Sequence, residues 1–154
     1  ASAVQLGTRF VVTHESGATA EYKEAIVKAT KEDIVVATNP GSPCGLPFRL
    51  IKSSPMYMAA LNRLRKPLCN LGYLLGKDSE GKFSKCLAKE DNDKYFCICN
   101  GLLSSAGVNP FNDAMLFTVG AKAYLVDKIT SVKELMDELS GKIKLPQTPV
   151  LQGV

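Results

Sequence analysis

The sequence predicts an α/β fold, and three features carry that reading. Residues 3–12, Ala-Val-Gln-Leu-Gly-Thr-Arg-Phe-Val-Val, are apolar and β-branched toward both faces, the pattern of a parallel strand buried on two sides. A turn at Ser16-Gly17-Ala18-Thr19 leads into residues 21–29, where Tyr22, Ala25, Ile26 and Ala29 recur at helical spacing. Toward the other end, Ser131 and Glu134 form a capping box ahead of Leu135, Met136 and Leu139, an amphipathic helix that Gly141 stops.

The intervening elements follow from local chemistry. Asp33 to Ala37 reads as a short strand closed by Asn39-Pro40-Gly41-Ser42-Pro43, and Phe48 to Ile51 as another after Gly45-Leu46-Pro47. Met58, Leu61 and Leu64 lie three apart and predict a helix over 56–64, ended by Pro67. From Cys69 to Tyr95 the periodicity dissolves. Gly72, Gly76 and Gly81 lie there among alternating charges, so the expectation is an irregular, lid-like segment with at most a short helix around Ser84 to Ala88. A helix is predicted again from Phe96 to Ala106, ended by Gly107 with Pro110 beyond it, and after Lys144 the chain is a proline-containing tail.

Composition narrows the functional classes. With 154 residues, 45% hydrophobic and 22% charged, and with 12 glycines and 8 prolines in no repeating period, the chain has the makeup of one globular domain. A chain of this size hides roughly two thirds of its unfolded surface, but a complete eight-stranded α/β barrel needs roughly 200 residues or more. No apolar run approaches the ~18 residues of a membrane span, and the start lacks the pattern of a secretory signal. These features read as a cytoplasmic protein without a membrane partner. The chain begins Ala1-Ser2-Ala3 directly ahead of the strand-like run, from which further residues upstream are expected. The net charge is +4, and between Arg63 and Lys94 eight basic residues are mixed with five acidic ones, a solvated surface rather than a nucleic-acid face. Six Phe, five Tyr and no Trp show no alternation with basic residues of the kind that stacks bases.

Most motif-like features have plain explanations. Residues 76–82, Gly-Lys-Asp-Ser-Glu-Gly-Lys, imitate a phosphate-binding P-loop, but Phe83 stands where a magnesium-ligating hydroxyl is needed. The single histidine, His14, cannot build a histidine-based metal site and reads as a surface or strand-end residue. Cys44 sits on a turn with no nearby base and is expected to be a buried thiol. Cys69, Cys86, Cys97 and Cys99 lack the paired spacing of a zinc ribbon, so no metal is expected, although the four together have tetrahedral ligand chemistry. Residues 5–10, Gln-Leu-Gly-Thr-Arg-Phe, are different. A glycine at the end of a barrel strand lets main-chain amides face a phosphate, and Thr8 adds an amide and a hydroxyl. A simple strand bulge at Gly7 explains the same residues equally well.

At these residues the sequence resembles a known family. The run Val4 to Phe10, the turn His14-Glu15-Ser16-Gly17-Ala18, the helix containing Tyr22-Lys23-Glu24-Ala25, the run Gly45 to Arg49, and Val119-Gly120-Ala121-Lys122-Ala123-Tyr124 before the capped helix look like the C-terminal part of the nitronate monooxygenase family. These are FMN-dependent enzymes once called 2-nitropropane dioxygenases, and flavin-dependent enoyl-acyl-carrier-protein reductases are their relatives.

The resemblance implies the C-terminal fragment of a (β/α)8 TIM-barrel flavoenzyme. Residues 1–30 would hold the last barrel strand and its helix, 31–110 a lid-like insertion, 111–145 the closing segment and C-terminal helix, and 146–154 a tail. It implies that Gly7 and Thr8 bind the FMN phosphate with Gln5 nearby, that Gly120 approaches flavin or substrate, and that the catalytic histidine lies upstream of this chain. The implied substrate is a nitronate oxidised with oxygen. The alternative is an enoyl thioester, with NAD(P)H as reductant, and a third reading is a stable fragment that binds nothing alone. The implied partners are the missing N-terminal part of the enzyme and a small-molecule substrate, with room for a homo-oligomer.

Overall fold

The computed structural model describes residues 5–64, 80, 86–109 and 112–142. Among them, strands β1 (Ile34–Ala37) and β2 (Phe48–Ile51) pair antiparallel, with Ile34 opposite Ile51 and Ala37 opposite Phe48. The helices are α1 (Thr8–Val11), α2 (Ala20–Lys28), α3 (Pro55–Leu61), α4 (Leu87–Glu90), α5 (Ile98–Ser105) and α6 (Val132–Leu139). None of the described helices is long and apolar enough to cross a membrane.

Local chemistry explains the boundaries. The Thr19 hydroxyl accepts the Tyr22 amide at 3.3 Å and caps α2. Pro55 enters α3 at its first position, where its missing amide costs no bond. For α6 the capping box read from the sequence is present: the Ser131 hydroxyl accepts the Glu134 amide, and the Glu134 carboxylate accepts the Ser131 amide at 2.9 Å. Gly141 follows with φ of +75°, the left-handed conformation that suits glycine after a helix end.

Two clusters make the core. Leu50, Met56, Tyr57, Phe96 and Leu116 form one, and Val12, Tyr22, Ile26, Ile51, Phe117 and Val119 belong to the other. Residues 114–119, Ala-Met-Leu-Phe-Thr-Val, run between them. Ala114 and Leu116 face the first cluster, while Met115, Phe117 and Val119 face the second, the two-residue alternation of extended chain. Its main-chain groups pair with whatever surrounds them. Ile51 donates to the Phe117 carbonyl at 2.9 Å, Met56 to Met115 at 3.0 Å, and Val119 to Arg49 at 3.2 Å. The buried Ser54 hydroxyl accepts the Phe117 amide at 3.0 Å, and the Ser105 hydroxyl accepts the Leu116 amide at 2.8 Å. Pairing these main-chain groups lowers the cost of burying the segment.

Several expectations are corrected. The strand expected over 3–12 is not one in its described part: Gln5 and Leu6 lie outside any ladder, and Thr8–Val11 forms a single helical turn. Val4 lies outside the described residues. One turn is too short for propensity to reveal; it is held by distant groups, and β-branched composition cannot register those. Just past it, Thr13 pairs with Thr130 in an isolated parallel bridge. The predicted helix over 96–106 begins two residues later, because Phe96 donates its amide to Gly41 at 3.1 Å and lodges its ring between Phe48 and Tyr57. The helix read over 56–64 spans Pro55–Leu61. The short helix expected near 84–88 is Leu87–Glu90. The P-loop-like run at 76–82, apart from Glu80, and the tail after Lys144 lie outside the described residues.

Two outcomes test this packing. A Cβ on Gly101 would stand 2.7 Å from the Cβ of the fully buried Leu116. Overpacking costs about 1–3 kcal/mol against a gain of about 1 kcal/mol in helix propensity, so Gly101→Ala lowers the stability measured by urea unfolding. The Glu134 carboxyl is held down at about 2 by the Ser131 amide first, then by the Thr130 and Ser131 hydroxyls, against an ordinary value of 4.5. A depressed folded value means the contribution is complete above about pH 4.5 and disappears as the pH falls toward about 2. Glu134→Gln therefore flattens that part of the curve of unfolding midpoint against pH.

Candidate functional site

The elements at the two ends of the described chain meet around a pocket of about 350 Å³. One wall is Gln5, Leu6, Gly7, Thr8 and Arg9, and the other is Gly120, Ala121, Lys122, Ala123, Leu125 and Val126. A second pocket of about 340 Å³ adjoins it and shares Gln5, Gly7, Thr8 and Gly120, with Tyr22 and Thr118 on its far side. The structure thus brings together all four residues singled out from the sequence.

Gly7 precedes the turn α1 and accepts from the amides of Phe10 and Val11 at 2.9 and 3.1 Å. Among the described residues, nothing accepts from the amides of Gly7, Thr8 and Arg9, as expected for the first turn of a helix. A Cβ built on Gly7 meets nothing within 4 Å, so the glycine opens onto free space. Thr8 spans the gap: its hydroxyl oxygen accepts the Gly120 amide at 2.8 Å. That leaves the hydroxyl proton without an acceptor among the described residues and available to a ligand. Gly120 in turn accepts from Ala123 at 3.1 Å, closing the turn that presents Lys122.

Two braces fix the walls. The Arg9 guanidinium donates to both carboxylate oxygens of Glu138 on α6, at 2.8 and 2.7 Å, a bidentate pair that orients α1. This hydrogen bonding holds the Glu138 carboxyl below its ordinary value and the guanidinium above its own. On the other wall, the buried Tyr22 hydroxyl donates to the Thr118 carbonyl, and its ring stacks on Phe117 at 5.3 Å between centroids. Burial raises the Tyr22 phenol, which stays protonated as a donor.

Other candidates sit elsewhere. His14 is exposed and donates its amide to Thr130 at 2.9 Å. Cys44 is exposed, not buried as expected, because the turn after Pro43 carries it outward while Ser42, 2.7 Å from its sulfur, takes the interior place. Among the described residues no three metal-binding side chains cluster; Cys69 lies outside them. Sequence reasoning attached no role to Lys122, although it stands inside the motif containing Gly120. It also missed Arg9, whose partner lies too far along the chain for spacing to reveal.

The nitronate monooxygenase family model matches residues 1–141. The chain belongs to the nitronate monooxygenase family. This family comprises FMN-dependent oxidoreductases, and the match covers both walls of the pocket. Among solved structures, FabK from Thermotoga maritima is similar with 28% identity, 92% of this chain covered and a TM-score of 0.49; a methionine-to-alanine variant of it gives 26%, 93% and 0.42. This chain spans 40% and 37% of those two chains. No curated protein matches it.

Replacing Thr8 by Val removes the acceptor of the Gly120 amide, while the Arg9–Glu138 pair still holds α1. Because that amide is exposed, water replaces much of the bond, and stability should fall by no more than about 1 kcal/mol. The sensitive readout is hydrogen exchange: the Gly120 amide loses protection in Thr8→Val and keeps it in Thr8→Ser.

Proposed function

We propose that the pocket between Gly7 and Gly120 holds the phosphate of FMN, and that this chain is part of an FMN-dependent nitronate monooxygenase. The supporting observation is the donor set. The acceptor-free amides of Gly7, Thr8 and Arg9 and the available Thr8 proton meet at a pocket that none of the described acidic side chains lines. Such a convergence suits a phosphate monoester, which is acceptor-only and doubly charged. The free space off Gly7 is the place where phosphate oxygens would approach main chain. The residues present therefore fit the group.

In this reading Gly7 and Thr8 bind the phosphate, Gln5 flanks it at the end of the extended segment, and Gly120 holds Thr8 in its acceptor role. The apolar side chains of Leu6, Leu125 and Val126 line one side of the pocket. FMN, when bound, supplies the redox chemistry, taking electrons from a nitronate and delivering them to oxygen. The braces Arg9–Glu138 and Tyr22–Thr118 keep the donors aimed before the ligand arrives, which lowers the entropy cost of capture. The remaining barrel strands and the catalytic histidine are supplied by the rest of a longer polypeptide, and residues 5–9 and 118–126 close its phosphate end. The enzyme works in the cytoplasm.

The test is Gly7→Val in the complete polypeptide. Its φ of −106° is accessible to valine, and the new side chain enters open space, so the fold persists while the cradle fills. Flavin absorbance after purification should fall at least about tenfold, with circular dichroism unchanged. Full flavin occupancy would remove the phosphate assignment. Turnover of a nitronate with oxygen, against none of an enoyl thioester with reduced nicotinamide, separates the two substrate classes.

A further inference from the structure

Charge in the pocket is unevenly available, and its distribution singles out one side chain. Of the described lining residues only Arg9 and Lys122 are charged, and both are cations. Arg9 has both terminal nitrogens committed to the two oxygens of Glu138. Its charge is largely compensated by that carboxylate, which weakens its pull on a second anion. Lys122 is the opposite case. Among the described residues it forms no ion pair, and its ammonium stands 3.4 Å from the Tyr124 hydroxyl and 5.9 Å from that ring's centroid. Tyr124 steers the ammonium without cancelling its charge. The backbone beneath it is fixed: Ala123 is buried and donates to Gly120 at 3.1 Å, and Leu125 donates to Lys122 at 3.1 Å. The lysine therefore projects from a rigid turn that also carries the partner of Thr8.

We infer that Lys122 is the residue by which this pocket distinguishes a phosphorylated flavin from an unphosphorylated one. The inference rests on the flavin reading of the pocket. Amides and a hydroxyl supply direction but no net charge, and a monoester dianion facing only neutral donors is poorly compensated in a half-closed site. A lysine ammonium is a compact point charge on a flexible stem, suited to meeting phosphate oxygens from beside the amide cradle. Riboflavin presents the same ring and ribityl chain with a neutral hydroxyl end, so it gains nothing from this cation.

The experiment measures dissociation constants for FMN and riboflavin with the complete apoprotein and its Lys122→Gln, Lys122→Arg and Gly7→Val variants, by fluorescence quenching at two salt concentrations. Lys122 is exposed and its replacement leaves the core untouched, which circular dichroism verifies. Lys122→Gln should weaken FMN about tenfold, leave riboflavin unchanged and reduce the salt dependence of FMN binding, while Lys122→Arg retains most of the affinity. Unchanged FMN affinity in Lys122→Gln, with loss in Gly7→Val, would overturn the role of Lys122 and leave the flavin site standing. Equal weakening of both ligands would also overturn it, since the lysine would then serve the ring or the fold. Binding of neither flavin by the unaltered protein would overturn the flavin reading itself.

Discussion

Everything in the described structure depends on burying one extended segment whose amides find no ordinary sheet. Residues 114–119 pass between two apolar clusters, and a buried strand with unpaired main-chain groups would cost several kcal/mol. The surroundings meet that demand piecemeal. Met56 donates at the end of one helix, Ile51 and Arg49 contribute from a strand, the Ser54 hydroxyl accepts the Phe117 amide, and the Ser105 hydroxyl shares the Leu116 amide with the Gly101 carbonyl. The absence of a side chain at Gly101 is part of the same constraint, since Leu116 occupies the space where a Cβ would go. The fold is organised around the places this segment needs partners, and its far end delivers Gly120 to the pocket.

How much of this was legible depended on whether the cause was local. The short strands read at 33–37 and 48–51, the helix α2 and the capping box of α6 were readable because periodicity and caps act within a few residues, whereas the antiparallel pairing of the strands was not. The turn α1 was misread as strand because Phe10, Val11 and Val12 have the composition of one, while its helical geometry is imposed by Glu138 and Gly120. The central segment went unassigned because six residues that face two clusters in turn, nearly all of them buried, look like any apolar run. Its real signature, two serines placed elsewhere in the chain, has no sequence proximity to it.

The pocket shows the same division. Gly7 and Thr8 could be singled out because glycine followed by a hydroxyl carries its chemistry in adjacent residues, although a strand bulge explained them equally well, and Gln5 came from resemblance to a family. Gly120 came from resemblance to a family, and its direct bond to Thr8 gives that resemblance a physical content. Lys122 was invisible as a distinct residue because a lysine in a turn is ordinarily just solvated. What separates it from the other lysines is that its neighbouring cation is already paired, a fact that exists only in three dimensions.

The bond between Arg9 and Glu138 joins residues 129 positions apart, and that between Thr8 and Gly120 joins residues 112 apart. Contacts of such range carry a large loop-closure entropy and form late in folding. On the ribosome, at roughly 5–20 residues per second, the N-terminal wall of the pocket waits on the order of ten seconds for its partners to be made. During that interval the turn α1 has nothing to hold it, and the acceptor-free amides face water. The pocket is therefore a late product of biosynthesis, and a ligand held there would count only those chains whose two ends have met.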